Sequence, residues 1–128
     1  MNDEDKLNRA AAMLNDDQAE KQRQAEVDAL GEKIVDTIRT IYDPEIPVNI
    51  FELGLIYKID IEDDNTAKIE MTLTSPHCPV AEILPDEVRQ KVFAIDGVND
   101  AEVAVVWDPP WHPGMMTEEA QLELGMIS

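Results

Sequence analysis

The chain of 128 residues contains one cysteine, Cys78, and no apolar run that approaches the length of a membrane span. A lone thiol excludes a disulfide framework within the chain, and a transmembrane helix needs about 20 consecutive apolar residues. The acidic start Met1-Asn2-Asp3-Glu4-Asp5 has neither the basic nor the apolar region of a secretory signal. These absences favour a cytoplasmic protein whose cysteine is available for chemistry.

Basic residues are also scarce, because 10 Lys and Arg face 28 Asp and Glu and give a net charge of -18. Phosphate backbones are bound by basic patches, so nucleic acid is not expected as a partner. An acidic surface attracts metal cations and basic protein surfaces, although the same charge also simply keeps a protein soluble. A glycine-rich phosphate loop, a metal-binding histidine pair and a Cys-x-x-Cys motif are all missing from the sequence.

The length suits one domain with a core of its own. We expect a polar N-terminal extension at residues 1–26 and a single domain at residues 27–128. The domain should begin with a helix that ends before Asp43-Pro44, because apolar residues recur there at three- and four-residue spacing. These residues are Val27, Leu30, Ile34, Ile38 and Ile41.

Alternating apolar residues at 55–61 and 67–73, separated by the turn-prone Asp63-Asp64-Asn65-Thr66, predict an antiparallel hairpin. Residues 79–96 predict a helix that is interrupted or kinked at Pro85 and stopped by Gly97. Val103, Val105 and Trp107 alternate as a third strand, and Thr117 begins a short helix that closes at Gly125.

This order of helix, strand, strand, helix, strand and helix predicts an α+β fold, a small two-layer sandwich with a mixed three-stranded sheet. Whether the loops after the second and third strands lie at the same end of the sheet stays open at this stage.

Cys78 lies in the proline-bracketed loop Thr72–Glu82, directly before Pro79, a residue favoured at the first helical position. A helix start lowers the cost of a thiolate, the form that attacks electrophiles and binds metals. Glu82 and the acidic charge oppose this effect, and a bound metal would offset them. We expect Cys78 to react with an alkylating reagent in the folded protein; the alternative is an ordinary buried thiol.

Each of the other candidates also has a purely structural interpretation. His77 and His112 lie in stiff loops, where a surface histidine is the simpler interpretation. Capping and turn roles compete with metal or partner binding for four polar residues, Asp43, Glu45, Asn49 and Asp108. The two tryptophans, Trp107 and Trp111, pack by default, although an exposed pair would anchor a partner.

Three segments together resemble the metal-sulfur cluster assembly domain family that includes SufT and PaaD. They are Asp43–Ile50 with Leu53–Tyr57, Thr72–Pro79, and Trp107–Trp111, in the same order as in the family. The resemblance covers about residues 27–125 and implies a small α+β fold and a role in maturing iron-sulfur proteins, with Cys78 as the functional residue. It also implies signature positions, which Asp43, Glu45, Asn49, Thr74 and Ser75 match.

The chain has no second cysteine, whereas PaaD-like members carry a cysteine-rich extension, so the SufT type fits better. The position of His77 varies in the family, which disfavours a ligand role for it.

We therefore expect a non-enzymatic, cytoplasmic maturation factor in which Cys78 is a transient ligand of an iron-sulfur cluster or iron, with neither held stably by the monomer. Expected partners are iron-sulfur assembly proteins, client apoproteins and a second copy of the chain, with neither nucleic acid nor membrane among them. Trp107, Asp108 and Trp111 are the candidate partner-binding residues. Two alternatives are a cysteine-dependent enzyme with Cys78 as nucleophile and a pure protein-binding adaptor.

Overall fold

A computed structural model describes residues 16–43, 46–74 and 83–125 of the chain. Within these ranges the elements follow the predicted order, which confirms the α+β class. They are α1 (Asp16–Ile38), β1 (Ile56–Ile61), β2 (Thr66–Met71), α2 (Ile83–Phe93), β3 (Asp100–Val105), a short 3-10 helix (Pro113–Met115) and α3 (Glu118–Glu123). None of the helices in the described ranges is long and apolar enough to cross a membrane.

The sheet has the strand order β1-β2-β3 and is mixed, as predicted. β1 and β2 pair antiparallel, and the register shifts between Ile56 and Lys58. β2 and β3 pair in parallel, from Thr66 opposite Asp100 to Met71 opposite Val105. Parallel strands end at the same edge of a sheet, so the loops that follow β2 and β3 lie at one end. This pairing answers the question that the sequence leaves open.

The alternation along β2 produces two unlike faces of the sheet. Ala67, Ile69 and Met71 are buried, whereas Lys68 and Glu70 are exposed. Helices α1 and α2 pack against the sheet and against each other. On the opposite face the Lys68 ammonium lies 2.6 Å from a carboxylate oxygen of Glu62 and 3.7 Å from one of Glu102. The fold is therefore a two-layer sandwich with one charged, solvent-facing side.

Helix α1 confirms the predicted apolar stripe, because Leu30, Ile34 and Ile38 are all buried. The helix ends at Ile38, earlier than expected, and Ile41 is buried just beyond the helix end. α1 also runs unbroken from Asp16 across the expected boundary between residues 26 and 27. The division into an extension and a domain stays a prediction.

In helix α2 the buried residues are Leu84, Val88 and Val92, as the spacing predicts. The expected interruption at Pro85 is wrong for this helix, which is continuous from Ile83 to Phe93. Pro85 lies in the first turn, where a missing N–H costs little because it would have no partner within the helix. The predicted residues 79–82 lie outside the described ranges.

The third strand is shorter than predicted, since it ends at Val105 and leaves Trp107 beyond it. Trp107 has 46% of its surface exposed, so the packing that strand alternation suggested for it is wrong. The last helix agrees with its prediction. The Thr117 hydroxyl accepts a hydrogen bond from the N–H of Ala120, and Gly125 follows the helix with a φ of 73°.

Candidate functional site

The described parts of the three motif segments meet at one edge of the sheet, where β2 and β3 end and β1 begins. We call this region the loop edge. It consists of residues 46–55, 72–74 and 106–117. The N–H of Thr72 donates to the carbonyl of Leu55 at 2.8 Å, and the N–H of Val106 donates to the carbonyl of Met71 at 2.8 Å. These bonds continue the ladders past the strands and bring separate parts of the sequence into one place.

Asn49 shapes the first of these segments. Its side-chain oxygen accepts a hydrogen bond from the N–H of Glu52 at 2.9 Å, and its backbone forms a bridge with Tyr42. The N–H of Leu53 donates to the carbonyl of Asn49 at 3.0 Å. This is the turn-forming role of an asparagine side chain. Asn49 is thus engaged in holding the loop that apolar side chains anchor in the core, namely Val48, Ile50, Leu53 and Leu55.

Gly54 allows the loop to approach the C-terminal segment. Its φ of 79° lies in the left-handed region, and a Cβ built on it would collide with the carbonyl of Met115. Only glycine avoids both the backbone strain and the collision. The close contact between the first motif segment and the 3-10 helix that follows the third segment therefore depends on this residue.

Glu52 ties three elements together and is a residue that the sequence analysis missed. Its carboxylate lies 3.5 Å from the Arg39 guanidinium and accepts a hydrogen bond from the Thr117 hydroxyl. The N–H of Thr117 donates to the carbonyl of Glu52 at 3.0 Å. The guanidinium of Arg39 also lies 4.9 Å from the centre of the Phe51 ring. The one signal in the sequence is an acidic residue alone among apolar neighbours, from Ile50 to Leu55.

The two tryptophans of the third segment have different environments. The indole N–H of Trp111 donates to the carbonyl of Leu53 at 2.8 Å, and its half-buried ring packs against the core. The hydroxyl of Tyr57 donates to the carbonyl of Pro109 at 2.9 Å, after the cis bond between Asp108 and Pro109. Trp107 and Asp108 are exposed. Trp111 holds the loop, and Trp107 is the ring that a partner can reach.

His112 is exposed, and its Nδ1 accepts a hydrogen bond from the N–H of Gly114 at 3.1 Å, which caps the 3-10 helix. Asp43 is buried and Thr74 is half-buried. Thr72, which the sequence analysis did not single out, is fully buried, and its hydroxyl has no hydrogen-bond partner within the described ranges.

Cys78 itself, with Glu45, Ser75 and His77, lies outside the described residues. The residues on either side are described. Thr74 follows the end of β2, and α2 begins at Ile83 and returns the chain to the start of β3 at the other end of the sheet. The described residues that flank Cys78, Thr74 and Ile83, therefore both lie on the loop-edge side of the molecule. Among the described residues no group of three His, Cys, Asp or Glu could hold a metal ion.

Comparison with known proteins supplies the family. The sequence profile of the family described as iron-sulfur cluster assembly protein matches residues 31–105, more than half of the chain. The chain belongs to the iron-sulfur cluster assembly protein family. This confirms the resemblance inferred from the three motifs. The matched range includes the first two motif segments, whereas Trp107–Trp111 lies beyond it.

Two relatives cover most of this family member. It is 47% identical over 96 residues to the Fe-S protein maturation auxiliary factor of Porphyromonas gingivalis, which covers 75% of this chain and 91% of the relative. It is 41% identical over 99 residues to the Fe-S protein maturation auxiliary factor YitW of Bacillus subtilis, at 77% of this chain and 97% of the relative.

Solved structures agree with the fold. The crystal structure of a domain of unknown function, DUF59, from Bacillus anthracis superimposes with a TM-score of 0.75 at 34% identity and covers 81% of this chain and 99% of that one. A conserved hypothetical protein from Thermotoga maritima gives a TM-score of 0.64 at 35% identity, with 73% and 92% covered.

Proposed function

We propose that this family member is a maturation factor that assists the assembly of iron-sulfur clusters or their transfer into client proteins, with Cys78 as a transient ligand. The observation that supports this most is the parallel pairing of β2 with β3. It collects the described parts of the motif segments at the loop edge, on the side of the molecule where Thr74 and Ile83, the described residues that flank Cys78, also lie. Relatives that share 41% and 47% identity are named Fe-S protein maturation auxiliary factors.

The number of thiols supports transfer of a cluster over storage. A typical cluster is held by several cysteine thiolates, and the chain has one. The remaining ligands of a cluster in transit come from a donor, a client, a small thiol or a second copy of the chain. Because the thiolate is the ligand, binding releases a proton and weakens as the pH falls.

The partners follow from the same chemistry. We propose that the protein works in the cytoplasm with iron-sulfur assembly proteins and client apoproteins, that it does not act as an enzyme, and that it binds neither nucleic acid nor membranes. Asp43, Glu45, Asn49, Thr74 and Ser75 support the site. Trp107 and Asp108 are exposed beside it and are suited to contact a client. Trp111 contributes by holding their loop.

One specific observation favours a second candidate function. Trp107 is a large ring with 46% of its surface exposed at the loop edge. In a pure adaptor this ring would bind clients and Cys78 would have no ligand role. The two functions predict different effects of Cys78→Ser on the maturation of client proteins.

Complementation of a deletion strain tests the proposal. Strains that carry the wild type, Cys78→Ser or Trp107→Ala are compared in the activity of several iron-sulfur enzymes, with an enzyme that lacks a cluster as control. We expect Cys78→Ser to fail to restore the iron-sulfur enzymes while the protein accumulates to a normal level. Full restoration by Cys78→Ser together with failure of Trp107→Ala would favour the adaptor. Loss of a single small-molecule conversion would favour a cysteine-dependent enzyme.

Anaerobic reconstitution tests the ligand role directly. Iron and sulfide are measured together with absorbance and with the mass under native conditions. The isolated monomer should not retain a stoichiometric cluster, whereas a complex with a donor, a client or a second copy should do so only with Cys78 present. A monomer with a stable cluster that survives Cys78→Ser would contradict the mechanism.

A further inference from the structure

An open groove of about 580 Å³ lies between α1 and the outer side of β1. Its apolar lining comes from Val27 and Val35 of α1 and from Ile59 and Ile61 of β1, and Gly31 lies between the two valines. The groove is near the end of β1 that leads into the hairpin, away from the loop edge, and none of the motif residues lines it.

The backbone of β1 is available along this groove. In the described part of the sheet β1 is an edge strand, paired only with β2. The N–H of Glu62 donates to the carbonyl of Thr66, which sets the alternation of the antiparallel ladder. Residues 58, 60 and 62 therefore direct their backbone groups toward β2, and Ile59 and Ile61 direct theirs outward. Such an edge is a template for another strand.

The side chains along β1 are also less covered than those opposite them. Ile59 faces Ile69, and Ile61 faces Ala67, across the ladder. Ile69 is 1% exposed and Ala67 is 0% exposed, whereas Ile59 and Ile61 are only half-buried. The apolar face of the sheet therefore continues past the cover that α1 provides.

Gly31 is an unusual residue for its position. It lies inside α1, where glycine costs about 1 kcal/mol relative to alanine. A Cβ at this position would meet no atom within 4 Å, so no contact in the described structure requires glycine. Because glycine has no side chain, α1 does not fill the middle of the groove at this position.

Charge indicates what kind of segment fits. Asp28 and Glu32 are exposed at the helix side of the groove, and neither forms an ion pair with another described residue. Asp60 is different, because its carboxylate lies 3.2 Å from the Lys58 ammonium. No lysine or arginine is among the described residues that line the groove. The side chain of Gln24 donates a hydrogen bond to the Asp28 carboxylate at 2.8 Å, but this amide is neutral. The helix side of the groove therefore carries two negative charges without an ion-pair partner among the described residues, next to an apolar lining.

We propose that an extended, basic segment of a partner protein binds in this groove and adds a fourth strand to β1. Its backbone pairs with Ile59 and Ile61. Alternate side chains lay their aliphatic stems over Val27, Gly31 and Val35 and bring their positive ends to Asp28 and Glu32. A second copy of the chain would bring its own acidic residues to the same place, so a foreign basic segment is the better match. The proposal does not depend on the role of Cys78.

A peptide-binding experiment on the full chain tests the proposal. The probe is a capped peptide of strand length, about eight residues, that alternates lysine and valine. The comparison peptides carry glutamate in place of lysine, or the same side chains with every second backbone nitrogen methylated. We expect the lysine peptide to shift the amide signals of Ile59 and Ile61 and to slow their hydrogen exchange. The other two peptides should do neither, because one lacks the charge and the other lacks the strand donors. Shifts confined to other residues would overturn the proposal.

Two variants on α1 separate docking from general charge attraction. Glu32→Lys and Asp36→Lys change the net charge equally, and Asp36 is exposed on the same helix but does not line the groove. We expect Glu32→Lys to weaken peptide binding by about tenfold and Asp36→Lys by less than about twofold. Equal weakening by both would mean nonspecific attraction and would overturn the proposal.

A third variant, Gly31→Leu, narrows the groove and should abolish binding while the melting temperature is kept or raised, since leucine favours a helix more than glycine does. If the variant folds and binds normally, the groove is not the binding site. Native mass spectrometry tests whether a second copy of the chain occupies the groove. A dimer that the peptide dissociates and that Glu32→Lys strengthens would identify a second copy as the occupant. This result would also overturn the proposal of a foreign segment.

Discussion

The hairpin end of the sheet and the loop edge are closed by different kinds of contact. At the hairpin end, Asn65 adopts a φ of 64°, and the Asp64 carboxylate accepts the N–H of Thr66 at 3.0 Å. Asn99 donates its side-chain amide to the carbonyl of Asp64 and its N–H to the carbonyl of Asn65. Asp64 and Asn99 are exposed, whereas Asn65 is half-buried and Thr66 is buried. The turn itself depends on residue types that favour turns.

At the loop edge the contacts join residues that are far apart in the sequence. Trp111 bonds to Leu53, and Thr117 bonds to Glu52, each across more than fifty residues. These groups are half-buried, so losing one partner leaves a polar group without water or a bond. We conclude that the hairpin end tolerates substitution better than the loop edge, and the following predictions test this difference.

The largest effect on stability is expected at one of three glycines when each is replaced by alanine. Gly54→Ala combines a positive φ with a collision against a backbone carbonyl, so it should lower the free energy of unfolding by about 3 kcal/mol. Gly125→Ala has a positive φ but open space, and about 1 kcal/mol is expected. Gly31→Ala should instead stabilise by about 1 kcal/mol. Urea denaturation measures all three. Equal values for Gly54 and Gly125 would remove the steric part of the argument.

A smaller effect is expected for Glu52→Ala. It leaves Arg39 and the Thr117 hydroxyl without their partner at a half-buried site, and about 2 kcal/mol of stability should be lost. Glu102→Ala is the control on the charged sheet face, where an exposed pair with Lys68 contributes little. Its denaturation midpoint should match that of the wild type. If the two variants behave alike, the loop edge does not depend on Glu52.

The tryptophan pair gives the third comparison. Trp111→Phe removes the indole N–H that Leu53 accepts from and should cost about 1 kcal/mol. Trp107→Phe changes an exposed ring and should leave the melting temperature as it is. Thermal unfolding followed by circular dichroism distinguishes them. A larger loss at Trp107 would mean that this ring packs after all.

The smallest effect is expected for the dependence of stability on acidic pH at the hairpin end. The hydrogen bonds that Thr66 donates from its hydroxyl and its N–H lower the pKa of Asp64 below the ordinary value of 3.8. The pKa in the folded state is below that in the unfolded state, so the contribution is present above pH 3.8 and is lost as the pH falls through the folded value. Asp64→Asn should remove this part of the acid dependence of stability. An unchanged slope below pH 3.8 would contradict the prediction.

The pKa of Lys68, on the same sheet, is shifted in the opposite direction. The hydrogen bond and charge of Glu62 raise its pKa above 10.5, so its contribution is present below that pH and is lost as the pH rises through the folded value. Both groups are exposed, so both effects are expected to be small.

Sequence patterns predicted the parts of the fold that depend on periodicity. Leu30 and Ile34 of α1, and Ile69 of β2, are buried because apolar spacing places them on one face of a helix or strand. The prediction for Pro85 was wrong because a first-turn position and an interior position look alike when the start of a helix is uncertain. The third strand was predicted to reach Trp107 because the apolar alternation continues to that residue, but the strand ends at Val105. Periodicity of the side chains does not indicate where a strand ends.

The contacts of the candidate site were less predictable for a different reason. The partners of Glu52, Tyr57 and Trp111 are set by the meeting of distant segments, and two of the three involve a backbone carbonyl of no particular residue type. The parallel pairing of β2 with β3, which creates the meeting, was left open by the pattern. The motifs of the resemblance identified the family correctly, whereas Cys78 lies outside the described residues and its role stays a proposal.

The parallel pairing has a consequence for the order of folding events. The hairpin of β1 and β2 closes over a short turn, whereas β3 pairs with β2 only after the whole crossover through α2 is in place. Pairings across long separations carry the larger entropy of loop closure and form slowly. Trp107, Trp111 and Thr117 all follow β3 in the chain. A growing polypeptide therefore completes its hairpin well before it can assemble the loop edge, and Cys78 is synthesised before the residues after β3 that close this edge.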